Sequence, residues 1–175
     1  MSSTESIILP KPRGKAYELR FFGINHAVNI DHPVGTPYLA SIKECINLVT
    51  HKWGREFWNP RLPPKQSDAS VIYNAIDHQL KADAGILRLF PAIGTAADIF
   101  HGIDGFLSLT KNDGATIVVT FDLSTEDRAR LAKQDYKADV LINEDENLEL
   151  AVKRILKFLK NPPREFDFPW LVDLR

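Results

Sequence analysis

Two aspartates carry the chemistry that this sequence suggests. Asp104 stands in His101-Gly-Ile-Asp104-Gly-Phe-Leu, just ahead of one arm of an expected hairpin. Asp122 closes the other arm, in Ile117-Val-Val-Thr-Phe-Asp122-Leu-Ser124. In an antiparallel hairpin these two positions fall near the same end. Side chains alternate across a strand, so Thr116, Val118, Thr120 and Asp122 share one face. Ile117, Val119, Phe121 and Leu123 share the other, which is wholly apolar and must meet a core. Asp104 shares a face with Phe106 and Ser108, so both carboxylates can approach one point. Paired carboxylates offer the hard oxygens that suit Mg²⁺ or Mn²⁺. Lys133 and Lys137 follow downstream, and an ammonium beside such a cation can stabilise charge on a phosphate. Asp is also common at hairpin ends for its turn chemistry, which is the structural alternative for either residue alone.

The elements that must position these acids are legible in part. Residues 1–16 read as a flexible, basic arm, although Ile7-Ile-Leu could add an edge strand. Leu39, Ile42, Ile46, Val49 and Trp53 recur at helical spacing and predict a helix from about Pro37 to Trp53, ended by Gly54. Asn59-Pro-Arg-Leu-Pro-Pro reads as a loop. Ser67 or Asp68 can cap a second helix, with Ile72, Ile76 and Leu80 turned inward and a stop before Gly85. Ile86 to Phe90 reads as a short strand closed by Pro91, and Gly94 to Phe100 fits either a helical turn or a loop. The hairpin has arms Phe106–Leu109 and Thr116–Phe121 around Lys111-Asn-Asp-Gly114. A helix over Thr125–Gln134 and a strand over Ala138–Ile142 follow. The last helix, capped by Asn143 or Asp145, aligns Leu148, Val152, Ile155 and Leu159 and stops at Pro162-Pro163. Its Lys153, Arg154, Lys157 and Lys160 read as a solvated face. The apolar tail Phe166–Val172 is expected to dock on its own domain or on a partner.

Composition bounds the rest. The chain has 175 residues, 44% hydrophobic and 26% charged, which suits one domain with one core. A formal net charge of −1 argues against a protein that coats nucleic acid through global basicity, but leaves room for a local basic groove. The single cysteine, Cys45, falls on an apolar helix face and reads as core; with no disulfide to make, it suggests a reducing compartment. No apolar run approaches the ~20 residues of a membrane span. The first residues lack the basic and apolar regions of a signal peptide. A cytoplasmic protein with no membrane partner is expected. The five histidines show no zinc spacing, although His101 could assist at the acid pair. Gly102 and Gly105 form no common phosphate-binding loop. Phe21, Phe22, Trp53, Phe57 and Trp58 read as core rather than as a stacking platform for bases.

Helix, strand, a hairpin with an acid on each arm, helix, strand: in that order the stretch from about residue 68 to 142 resembles the PD-(D/E)XK nuclease superfamily. The likeness rests on Gly102-Ile-Asp104-Gly, Val119-Thr-Phe-Asp122-Leu-Ser124 and Lys137-Ala-Asp-Val-Leu-Ile. It implies an α/β fold with a restriction-endonuclease-like core, a central mixed sheet flanked by helices, over about 68–160. It implies Mg²⁺ or Mn²⁺ on Asp104 and Asp122, hydrolysis of nucleic-acid phosphodiester bonds by an endonuclease or exonuclease, and DNA first among substrates, with a homodimer admitted. The superfamily's second motif ends in lysine, where this chain has Ser124. Some members carry the lysine on the following helix, which makes Lys133 the displaced candidate and Lys137 the second. Many also carry an acid on the first core helix. Glu44 lies opposite its helix's apolar stripe and fits poorly; Asp77, Glu56 and Asp98 stay open. The alternative function is a catalytically inactive nucleic-acid-binding or assembly protein of the same fold, and a third reading is an α/β protein whose acids are structural.

Overall fold

The computed structural model describes residues 13–25, 41–53, 58–81, 83–125, 138–163 and 165–167. Its elements in chain order are α1 (Arg13–Phe22), α2 (Ile42–Trp53), α3 (Asp68–Gln79), β1 (Ile86–Pro91), α4 (Ala96–His101), β2 (Gly105–Thr110), β3 (Ala115–Ser124), β4 (Val140–Asn143), α5 (Leu148–Lys160) and β5 (Glu165–Asp167). The fold is mixed α/β. The sheet runs β1-β2-β3-β4, and β5 also pairs with β3. β1, β2 and β3 form an antiparallel meander. β4 lies parallel to β3 along Phe121–Ser124, while β5 lies antiparallel to it along Ala115–Ile117. A parallel neighbour needs a crossover. Here that crossover is residues 125–139; the helix expected at Thr125–Gln134 falls almost wholly outside the described residues.

Packing follows from the alternation. Phe21 and Phe22 of α1 set their rings against Phe121 of β3, and Phe22 also meets Trp58. Phe90 and Phe106 stack across β1 and β2. Helix α3 packs on both α1 and α5, and all three pack on the sheet; α2 packs on α4 and β1. The buried apolar residues form one continuous cluster that includes Cys45, as its place on the apolar side of α2 implies. No helix among the described residues is long and apolar enough to cross a membrane.

Several boundaries differ from the sequence expectation, each for a local reason. α1 starts at Arg13, so the end of the expected basic arm is helix. Its basic residues hide the stripe of Tyr17, Phe21 and Phe22, all buried by tertiary contact. α2 begins after Ser41 rather than at Pro37, because Ser41 and Glu44 close a capping box. The Ser41 amide donates to Glu44 Oε2 at 2.7 Å, and the Glu44 amide donates to Ser41 Oγ at 3.2 Å. α3 is capped by Ser67, whose Oγ accepts from the Ser70 amide. The segment left open at Gly94 to Phe100 contains α4, capped by Thr95. α5 is capped by Asn147, not by Asn143 or Asp145. Asn143 ends β4 and uses its side-chain oxygen to accept from the Asp145 amide, a tight turn that delays the helix.

Candidate metal centre

The β2–β3 register is the first determinant of the site. Gly105 pairs with Phe121 and Phe106 with Thr120, so the same register carried one step back sets Asp104 opposite Asp122. Opposed residues in an antiparallel pair project to one face. The Asp104 amide donates to Phe121 O at 3.0 Å, and its carbonyl accepts from Ala92 N at 2.7 Å. Its backbone is thus held from both sides. Its side chain is only 3% exposed, and Oδ2 accepts from the Leu123 amide at 2.7 Å. The Asp104 and Asp122 carboxyls are close enough to act on each other electrostatically.

The short helix α4 brings in a third acid. Gly102 caps it in the left-handed region at φ 60°, and the turn drops the chain into β2. That turn brings Asp98 beside Asp104, four residues behind the cap and two beyond it. Asp98 Oδ2 also accepts from the Gly94 amide at 2.7 Å. The fourth acid is Glu18 of α1, which none of the sequence expectations contained. Glu18, Asp98 and Asp104 each present a carboxylate oxygen, all within 4.8 Å of one another. Asp122 adjoins this group through Asp104. Lys15, one helical turn before Glu18, sets Nζ 3.0 Å from Glu18 Oε2 and 3.5 Å from Asp98 Oδ2.

The electrostatics follow from crowding acids away from water. Burial, then the nearby Glu18, Asp122 and Asp98, push the Asp104 carboxyl up to about 9 against the opposing Leu123 hydrogen bond. Burial raises Asp122 as well, partly offset by Asp104. Burial and the neighbouring acids thus both favour the protonated form of the pair in the metal-free protein. Burial raises Glu18, with Lys15 opposing. Burial pulls the Lys15 ammonium down, but Glu18, Asp98 and Asp104 together outweigh it, so the net shift is upward.

Of the residues singled out from the sequence, Asp104, Asp122 and Asp98 come together here. Glu44 is spent in the capping box of α2, and Asp77 is exposed on α3. Glu56, Lys133 and Lys137 lie outside the described residues. His101 ends α4, half-buried. Asp139 is structural: its Oδ2 accepts from both the amide and the hydroxyl of Thr120, at 2.9 Å each, tying the approach to β4 onto β3. A signal for Glu18 did exist in the sequence. It sits three and four residues before Phe21 and Phe22, so it shares their inward face, where an acid needs a reason.

The donor set is all carboxylate, with an ammonium alongside. Such oxygens fit a hard divalent cation. The chain matches no family model, no curated protein and no solved structure.

Proposed function

We propose that the protein is a metal-dependent nuclease with a restriction-endonuclease-like core, hydrolysing phosphodiester bonds of nucleic acid, DNA first, with Mg²⁺ or Mn²⁺ held by Asp104, Asp122, Glu18 and Asp98. The observation that carries this reading is the convergence of three carboxylates, from α1, α4 and the turn before β2, on one largely buried point, with Asp122 of β3 opposite Asp104 in the register. Mutual repulsion and burial make such a group costly in a purely structural role. The upward shift of the Asp104 carboxyl reflects that cost. A bound cation would polarise a phosphate oxygen and lower the pKa of a water. The chain's own residues do the rest. Asp104 and Asp122, fixed by the strand register, ionise when the site is filled and orient the cation. Glu18 and Asp98 complete the oxygen set from the helical side. Lys133, with Lys137 second, supplies charge to the phosphate where Ser124 cannot.

Further support comes from the element order: α3, β1, an acid-bearing hairpin and then β4 parallel to its second arm, with α4 inserted ahead of the hairpin. Glu18 supplies a helix-borne acid of the kind that the resemblance calls for. Ser124 favours a second reading, a nucleic-acid-binding or assembly protein of the same fold that has lost cleavage. One experiment separates the two. Single-stranded, double-stranded and branched DNA and RNA are incubated with the protein in Mn²⁺, Mg²⁺ or EDTA, alongside Asp122→Ala. Cleavage that needs the metal and vanishes in Asp122→Ala, with binding kept, supports the nuclease. Salt-sensitive binding without cleavage supports the second reading. Neither binding nor cleavage on any substrate refutes both.

A further inference from the structure

Strand β1 carries an arginine in a run of core residues, Ile86-Leu-Arg88-Leu-Phe-Pro91. Arg88 is 1% exposed and is the largest fully buried side chain of the described protein. A guanidinium has five N–H donors and no acceptor. Among the described residues, the one side-chain hydrogen bond of Arg88 runs from Nη1 to Thr110 Oγ1, a long bond of 3.3 Å. The ionisable side chains that act on it among the described residues are Arg61, itself a cation, and Tyr73, and no carboxylate is among them. Ser108 lies directly opposite Arg88 in the register, is also 1% exposed, and its buried Oγ has no hydrogen-bond partner. Thr110 is two residues further along the same face. Its Oγ1 accepts from Arg88 and from the Thr116 hydroxyl at 3.2 Å, which leaves its own proton to donate elsewhere.

The groups that converge here are therefore a cation and two hydroxyls that can turn their protons toward an anion. Buried donors are nearly always satisfied, and a buried cation is nearly always paired. What is missing among the described residues is an acceptor with negative charge and at least two oxygens. Water alone would satisfy hydrogen bonds without matching the charge. We infer that Arg88, Ser108 and Thr110 form a binding site for a compact oxyanion, phosphate or carboxylate, with Arg61 adding to the positive potential. The site lies toward the hairpin turn, whereas Asp104 stands beyond the opposite end of β2, about 13–20 Å away at ~3.3 Å per strand residue. It is independent of the metal centre and of any nuclease activity.

The test follows thermal unfolding of the whole chain at pH 7 and constant ionic strength, in chloride and then with inorganic phosphate or acetate titrated in. A ligand that binds only the folded state raises the midpoint in proportion to the logarithm of its concentration. The midpoint is expected to rise with phosphate or with acetate, and which anion acts identifies the source as a phosphate or a carboxylate. Arg88→Met should abolish the rise. Ser108→Ala should weaken the apparent affinity by ~10-fold, the scale of one lost hydrogen bond. Asp104→Asn should leave the rise unchanged, which separates this site from the acidic cluster. Should Arg88→Met fail to fold, Ser108→Ala and Thr110→Val carry the test. Midpoints that match chloride for both anions overturn the inference. So does a full rise retained in Arg88→Met, or an affinity unchanged in both hydroxyl variants.

Discussion

At the scale of single residues, Asp104 links stability to the candidate chemistry. Its folded-state pKa is raised from the ordinary 3.8 to about 9 by burial and by neighbouring acids. The folded protein then holds a proton that the unfolded chain has lost. Stability from this group is fully present below the unfolded value and is lost as pH rises toward 9, at no more than about 1.4 kcal/mol per pH unit. Metal-free protein should thus melt at progressively lower temperature between pH 5 and 9. Asp104→Asn keeps an acceptor for the Leu123 amide and gains a donor for Asp122. That variant should melt higher than wild type at pH 8, with a flatter pH profile. A wild-type profile that rises with pH would sink this assignment. Lys15 is the counter-ion of the same group. Lys15→Met removes a cation that competes for Glu18 and Asp98 and should tighten Mn²⁺ binding ~5-fold, in keeping with the modest worth of a partly exposed ion pair. Calorimetric titration reads this directly, and weaker binding would make Lys15 a support rather than a competitor.

At the scale of elements, the site depends on how closely α1 approaches the β2–β3 pair. A Cβ on Gly105 would come within 2.6 Å of ring atoms of both Phe121 and Phe22. Those rings are themselves buried and packed, so they have little room to yield. Gly105→Ala should cost ~1–3 kcal/mol through overpacking and, by displacing the neighbouring Asp104 and α1, should also weaken Mn²⁺ binding. Ser41→Ala makes the useful contrast. It removes one side of the capping box of α2, far in sequence from every acid of the cluster, at a cost of ~1 kcal/mol. Chemical denaturation with Mn²⁺ titration on both variants checks the pair. Gly105→Ala with unchanged metal affinity would show that the approach of α1 is not what holds the acids.

At the scale of the whole molecule, ligand binding should appear as global stability. Glu18 is far from the other three acids in sequence, so the complete oxygen set exists only in the folded chain. A cation that binds only that state raises the unfolding free energy by about 2.7 kcal/mol at a hundred times its dissociation constant. Mn²⁺ or Mg²⁺ at pH 8 should therefore raise the melting midpoint, EDTA should reverse the rise, and Asp98→Ala or Glu18→Gln should reduce it. Ca²⁺ is a useful third arm, because it accepts the same oxygens at longer distances. A midpoint unmoved by all three cations would remove the metal centre and, with it, the proposed hydrolysis.

The sequence by itself determined the local parts. Period-two alternation in Ile117–Leu123 and the Lys111-Asn-Asp-Gly turn define the β2–β3 hairpin, and that hairpin carries Asp104 and Asp122 toward one end. Helical spacing in α3 and α5 is equally legible, because each buries one continuous stripe. Tertiary structure decided which distant groups meet those acids. Glu18 is set against Asp104 by aromatic packing of Phe21 and Phe22 on Phe121, a contact across about a hundred residues that no local pattern encodes. Asp98 joins through a left-handed turn at Gly102 that reads equally well as loop. Glu44, a reasonable helix-borne acid on paper, is consumed by its own N-cap. Arg88 reads as an ordinary strand residue until burial shows a cation with no acid beside it among the described residues. Hydrogen bonding along a strand or helix is set by neighbours in the chain, whereas desolvation and charge proximity depend on what the fold brings near. The hairpin was therefore legible from residues alone, and the electrostatics of its site were not.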